Sequence, residues 1–286
     1  MPLQITAPSR RIPVAALTGK AFQDFGQVIE NPSTHNDTTP HTVVEANQGS
    51  ATKVLDVTQM LNYYHLASSQ KPARPVVNMF ICKPRKLRKL SSAQSVFPVE
   101  ILERHPFTPQ TFIAMGLDKT SKSTAYLVIV APTLPLSPRS REAAKLSPPY
   151  PAPVPRRKRS LKERLLGARP NPFTNDYAPS TTPPITVDLS PSLKPKGPGL
   201  PDLASLRAFV ARGDQAVTYG PGTWHAPMVV LGQREVEFVV VQFANGVGVE
   251  DCQEVEVVSE GVDGFGVLIE EEGLIESFEG SVKAKL

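Results

Sequence analysis

VFPVEILERHPFTPQTFIAMGL, Val96–Leu117, decides how the rest of the chain is read. Along an extended backbone Val99, Ile101 and Glu103 fall on one face and Glu100, Leu102 and Arg104 on the other. Pro106 restricts His105 to extended backbone, so the histidine closes this run. A second apolar run, TFIAMGL, begins a few residues later. The same signature recurs outward in both directions. PVVNMFICKP (Pro75–Pro84) is β-branched and apolar, TAYLVIVAP follows at short spacing, and QAVTYG, MVVL and EVEFVVVQF come later. Short strands at close intervals with Gly and Pro turns predict an all-β chain folded as an antiparallel barrel or sandwich. Two short helices are expected. LTGKAFQDFGQVIE (Leu17–Glu30) has Thr18 as N-cap and Phe22, Phe25 and Val28 at near-helical spacing. PDLASLRAFVARG (Pro201–Gly213) has Asp202 at the cap, an apolar stripe of Leu203, Leu206 and Phe209 or Val210, and Gly213 as a stop.

The 286 residues divide unevenly in composition. Leu134 to Leu200 holds 15 of the 30 prolines and 12 Lys and Arg against 4 Asp and Glu, a net charge of +8, whereas the whole chain carries +4. The sequence therefore reads as one domain from residues 1–133 and 201–286, interrupted by a Pro-rich basic insert at 134–200. Such an insert cannot bury enough apolar surface to fold alone, apart from one short helix near Ser160–Leu166. Because the basic pI belongs to the insert, it does not make the folded body a nucleic-acid binder. RRKR (Arg156–Arg159) resembles a nuclear-import patch, and a solvated linker explains it as well. Two cysteines, Cys82 and Cys252, are too few for a disulfide framework, which suggests a reducing compartment. The N-terminus lacks an apolar stretch of signal-peptide length, and no run reaches the ~18 apolar residues that span a bilayer. A cytoplasmic location is the expectation. An Arg- and Ser-containing start gives only a slight transit-peptide character. VLIEEEGLIESFEGSVKAKL reads as a terminal strand or a tail.

Five histidines occur, and two lie within the strand pattern: His105 in ILERHPFTPQTF and His225 in YGPGTWHAPM. Imidazole exchanges protons near neutral pH and is the commonest metal ligand. Glu103 shares a face with His105 by the period of two, and Gln110 stands just before the next strand. Gly220 and Gly222 allow φ > 0 around Pro221, a tight turn that delivers Trp224 and His225 to a strand start. His105, His225 and Glu103 are the candidate catalytic residues. His105, Gln110 and His225 form a candidate set for a divalent metal, and Glu103 could add a carboxylate. ANQGSATKVLD supplies Asn47, Gly49 and Lys53, a polar turn and a cation that could meet an anionic substrate. Gln110 and Trp224 complete the expected substrate contacts.

Taken in order, LTGKAFQDFGQVIE, ANQGSATK, EILERHPFTPQTFIAMG, LVIVAP, PDLASLRAFVARGDQAVTYGPGTWHAPM and EFVVVQ resemble the ureidoglycolate lyase family. The resemblance covers most of Leu17–Val257 apart from the insert. It implies a cupin-like β-barrel or jelly roll that is usually dimeric. It also implies cleavage of ureidoglycolate to glyoxylate and urea in purine (allantoin) catabolism. No organic cofactor is implied, although some members are described with a divalent metal, nickel among them. The long insert looks like the enlarged loops of fungal members. Two departures stand out. Ala226 occupies a place where many members have a second histidine. Glu237 and Gln242 stand where many have acidic residues, and Gln242 lacks the charge. Alternatives remain open: a cupin oxygenase or isomerase, a hydrolase releasing ammonia from the same substrate, or a non-catalytic ligand-binding cupin.

Overall fold

A computed structural model describes residues 2–33, 41–121, 123–135, 190–261 and 264–270. In chain order its strands are β1 (Leu3–Ala7), β2 (Arg10–Ala16), β3 (Gly26–Ile29), β4 (Val43–Ala46), β5 (Ala51–Val54), β6 (Arg74–Cys82), β7 (Arg88–Lys89), β8 (Gln94–Pro98) and β9 (Ile101–Arg104). They continue as β10 (Gln110–Met115), β11 (Thr124–Ala131), β12 (Arg207–Ala211), β13 (Ala216–Tyr219), β14 (Trp224–His225), β15 (Val229–Gly232), β16 (Val236–Ala244), β17 (Gln253–Ser259) and β18 (Phe265–Glu270). The two α-helices among the described residues are single turns, α1 (Gly19–Phe22) and α2 (Gly248–Asp251).

The strands form a curled sheet in the order β1-β17-β9-β14-β11-β12-β2-β18-β8-β7, with β15 also on β11, and a facing sheet β3-β13-β10-β16-β6. Together they make the mainly-β, cupin-like half-barrel. Most pairs are antiparallel, but β1 with β17, and β2 with both β12 and β18, run parallel. Two apolar layers result. One lies within the curl of the large sheet, around Leu102, Leu127, Ile129, Trp224 and Val267. The other lies between the sheets, around Phe22, Phe112, Val128, Val130, Tyr219 and Phe238. β11 is buried along all eight residues because its two faces serve different layers.

That double burial corrects the expected helix over Pro201–Gly213. Asp202 does cap a turn, accepting from Ala204 N at 3.0 Å, but the turn is a 3-10 helix of only Leu203–Ser205. Arg207–Ala211 then runs as β12 between β11 and β2. Ala208 and Val210 enter one layer and Phe209 and Ala211 the other. A strand buried on both faces loses its polar alternation, and short apolar runs of this kind cannot be told from helices by period. In the Leu17–Glu30 segment only one turn is helical. Thr18 caps it through Ala21 N, and Val28 lies on β3.

Ser190–Leu200, placed by composition at the end of the insert, packs on the body. Leu193 is buried, and Leu134 N donates to Leu200 O at 2.8 Å. The carbonyl of Ser192 lies where a Cβ on Gly220 would stand, 1.8 Å away, so only glycine permits this approach. Residues 136–189, with RRKR and the expected helix near Ser160–Leu166, and residues beyond 270 lie outside the described residues. The first part of the C-terminal stretch is strand β18.

Candidate active site

The two histidine strings meet through their backbones before their side chains do. Gly222 N donates to His105 O at 2.8 Å, and Gly222 takes φ 76°, the left-handed conformation that favours glycine. His225 on β14 pairs with Glu103 on β9 and with Val130 on β11, so Glu103, His225 and Val130 form one cross-strand row. Facing it on the other sheet, Gln110 pairs with Tyr219, and the register of Thr111 with Val241 puts Gln242 on its other side. The ring of Tyr219 joins the two rows by stacking on His225, centroids 4.0 Å apart and 10° from parallel.

Hydrogen bonds fix the tautomer of both imidazoles. His105 Nδ1 lies 2.6 Å from the carbonyl of Asp251, and His225 Nδ1 lies 3.1 Å from that of Thr223. A carbonyl oxygen only accepts, so each Nδ1 carries the proton and each neutral ring presents a bare lone pair at Nε2. Both Nε2 atoms are buried with no hydrogen-bond partner. Burial above all, with His225 nearby, pushes the His105 imidazole down to about 4 against the opposing pull of Glu103 and the Asp251 carbonyl. It is neutral at pH 7. His225 Nε2 lies 3.4 Å from Glu103 Oε1, too long for a well-formed hydrogen bond. Burial raises the Glu103 carboxyl, but its contacts with His225, His105 and the Cys252 thiol outweigh it and hold the group below its ordinary value. A bare imidazole nitrogen facing a carboxylate oxygen is repulsive unless a positive charge sits between them. Proton and metal ion both meet that need.

Glu103, His105 and His225 bring one ligand atom each to within 4.8 Å of one another. Two imidazoles and a carboxylate suit a divalent ion of intermediate softness, and backbone carbonyls on both Nδ1 atoms are the orienting contacts such ligands use. The residues therefore fit a metal. Gln110, expected in the ligand set, lies on the facing sheet. Its Nε2 donates to Gln242 Oε1 at 2.7 Å, and its Oε1 is buried without a partner.

Other expectations are placed elsewhere. Trp224 does not join the Glu103–His105–His225 cluster, because alternation turns it to the opposite face from His225. There it is 2% exposed within the core, donates from Nε1 to Gly199 O at 3.1 Å and lies under the Arg104 guanidinium at 4.5 Å. Ala226 faces the same core, so a histidine there would not join His105 and His225. Glu237 is exposed on the outer face of β16. Asn47, Gly49 and Lys53 stand on a separate two-stranded hairpin, β4–β5, with both central turn residues, Gln48 and Gly49, left-handed.

Several contributors were not legible beforehand. Asp251 holds His105 through its carbonyl while its carboxylate accepts from Tyr64 Oη at 2.7 Å, Asn245 N at 2.8 Å and Gly246 N at 2.8 Å. Next to it, Glu250 accepts from Ser69 Oγ at 2.6 Å and Asn245 Nδ2 at 2.7 Å. Cys252 Sγ sits 3.9 Å from Glu103 Oε2, and burial followed by the neighbouring carboxylates pushes the thiol up to about 12. Both effects disfavour the thiolate that nucleophilic reactivity needs. Only the acidic pair in EDCQ hinted at this support.

Fold and site together define a cupin-like protein with a buried imidazole–carboxylate centre carried by β9 and β14. The chain belongs to the ureidoglycolate lyase family, whose model matches residues 9–262. It is similar to a ureidoglycolate lyase of Schizosaccharomyces pombe, 29% identical over 245 residues that cover 86% of this chain and 91% of that protein. A ureidoglycolate lyase of Saccharomyces cerevisiae is 31% identical over 224 residues, 77% of this chain and 78% of its own length. One from Burkholderia mallei is 23% identical over 235 residues, 81% and 82% of the two chains.

Proposed function

We propose that the chain is a carbon–nitrogen lyase of the amidine-lyase type that cleaves (S)-ureidoglycolate to glyoxylate and urea in allantoin catabolism. The observation that carries this reading is the pair of buried Nε2 lone pairs set against Glu103. Ureidoglycolate carries a hydroxyl, a carboxylate and a urea nitrogen on one carbon. As the C–N bond breaks, its electrons leave with nitrogen, an oxygen lone pair forms the carbonyl, and the hydroxyl proton must travel to the departing urea. His225 Nε2 takes that proton and returns it to the urea nitrogen, and Glu103 stabilises the imidazolium in between. His105, held neutral by burial, accepts or ligates without competing for the proton. A divalent ion such as nickel, held by Glu103, His105 and His225, would polarise the hydroxyl and lower its pKa. The chain's residues supply orientation in either case, and no organic cofactor is needed. Gln110 Oε1 accepts an N–H of the ureido group. Asn47, Gly49 and Lys53 bind the substrate carboxylate if the hairpin closes on the site, and Lys53→Ala raising KM would bear this out.

A homodimer is also proposed. The outer face of β10, β16 and β6 exposes Val77, Met79, Ile81, Ile113 and Met115, and β6 is an edge strand of its sheet among the described residues. Light scattering reads this directly. Two free cysteines, and no described helix long and apolar enough to cross a membrane, support a cytoplasmic setting. His225→Ala and His105→Ala should each lower kcat by ~10²–10⁴. Full activity in both sinks the reading, and loss of activity to a chelator with recovery on added nickel assigns the metal.

A further inference from the structure

We infer that Gln242 sets the polarity with which Gln110 meets the substrate, so that the site selects a group that donates hydrogen bonds over an isosteric group that only accepts them. The inference rests on the lyase reading and concerns what it leaves open, the recognition of the ureido end.

An amide side chain has an oxygen that accepts and a nitrogen that donates twice. Two glutamines side by side can therefore bond in either sense. In the sense observed, Gln110 Nε2 donates to Gln242 Oε1 at 2.7 Å, and the atom left over is Gln110 Oε1. Gln110 is only 5% exposed, and that oxygen is buried without a partner. It belongs to the residue that pairs with Tyr219, whose ring lies on His225, so this unpartnered oxygen stands one cross-strand neighbour from the imidazole–carboxylate centre. In the reverse sense Gln110 would bury two unsatisfied N–H groups there, against one carbonyl and one N–H in the sense observed, and an orphaned buried donor is the more costly before a ligand arrives.

A buried acceptor waiting for a donor excludes a carboxylate or ester oxygen at that place, because two acceptors facing each other leave both unsatisfied. A ureido group fits it with its N–H atoms. Gln242 never needs to touch the substrate, so it is a positioning residue. In the sequence Gln242 stands out only as lacking the charge that many members carry there. The structure gives the amide a purpose that a carboxylate would share, since a glutamate here could only accept from Gln110 and would hold it in the same sense.

The experiment compares two non-reacting competitors of ureidoglycolate turnover. Ureidoacetate carries the carboxylate and the ureido N–H groups but lacks the reacting hydroxyl. Succinate has the same heavy-atom outline with CH₂ and oxygen in place of the two nitrogens, so its far end only accepts. The wild type should favour ureidoacetate by at least ~10-fold in inhibition constant, the worth of one well-made buried hydrogen bond. Gln242→Glu should keep or widen that ratio. Gln242→Leu, which frees the Gln110 amide to rotate, should collapse it to within ~3-fold and raise KM for ureidoglycolate with little change in kcat, the pattern of lost uniform binding. Thermal melts of both variants separate misfolding from lost selectivity, and the glutamate variant remains a test if the leucine variant is unstable. An unchanged ratio in a folded Gln242→Leu protein, or a ratio lost in Gln242→Glu, overturns the inference alone. Failure of the wild type to turn over ureidoglycolate or bind ureidoacetate overturns the lyase reading and the inference with it.

Discussion

Arg104→Met should destabilise the protein by about 3 kcal/mol, and the residue's contacts show why. Arg104 is 3% exposed. Its Nε and Nη2 donate to Gln253 Oε1 at 2.9 and 2.7 Å, and its Nη1 donates to the carbonyls of Gly197 and Gly199 at 2.8 and 2.9 Å. Its guanidinium covers the Trp224 ring. Four hydrogen bonds at about 1 kcal/mol net each, with about 1–2 kcal/mol for a desolvated cation–π contact, give a gross loss near 5–6 kcal/mol. Methionine keeps the aliphatic packing and removes a charge whose burial already lowers its pKa to about 10, which offsets on the order of 2 kcal/mol. The Gly199 carbonyl keeps its bond from Trp224, and Gly197 is exposed and can turn to water. Urea unfolding followed by Trp224 fluorescence reads the effect, since Trp224 is the chain's single tryptophan. With a slope of about 2–3 kcal/mol/M the midpoint should fall by ~1 M or more. Arg104→Lys should recover only part of it, because an ammonium cannot reproduce the planar fork. A loss below ~1 kcal/mol for Arg104→Met would refute the idea that this residue clamps Gly197–Gly199 to the body.

Other outcomes follow from the same structure. Ala226→His should leave activity no higher and lower stability by ~1–3 kcal/mol, because position 226 faces the core; a gain in activity would contradict that placement. Lys196 donates to Ser192 O and Thr223 Oγ1, and burial lowers its pKa from 10.5 to about 8. The native state therefore binds fewer protons than the unfolded state between those values. The cost of burying the charge is in full force below pH 8 and is relieved as pH rises, so wild type should gain on Lys196→Met by about 1–3 kcal/mol between pH 7 and 10 in urea midpoints. A difference that does not change with pH would contradict the burial. Tyr64→Phe removes a bond to the Asp251 carboxylate and should lower kcat several-fold while KM holds, because Asp251 positions His105; unchanged kcat would limit Tyr64 to stability.

Alternation made the strands with one polar face legible, and β-branched residues marked the fully buried β11, whereas β12, also buried on both faces and with Val210 as its single β-branched residue, was not legible. β9 alternates because Glu103 and Leu102 face different surroundings, and the sequence carries that pattern openly. β12 is apolar on both faces, and its Leu-Arg-Ala-Phe-Val-Ala run satisfies helix and strand alike. At the site, Glu103, His105 and His225 were legible because period-two spacing and the Gly-Pro-Gly turn are local signals. Alternation sends Trp224 and His225 to opposite faces, and the sequence does not say which of the two faces the core. Asp251 reaches His105 across 146 residues and Tyr64 reaches Asp251 across 187, and no local pattern records such contacts. The packing of Ser190–Leu200 was hidden by its composition, since proline-rich segments can fold against a body they could not form alone.

The most direct test is turnover of ureidoglycolate by the purified protein, with urea, glyoxylate and ammonia each quantified. The account predicts urea and glyoxylate in equal amounts, without ammonia, and loss of both products in His225→Ala. Ammonia in place of urea, or no turnover by folded protein supplied with divalent metal, would contradict it.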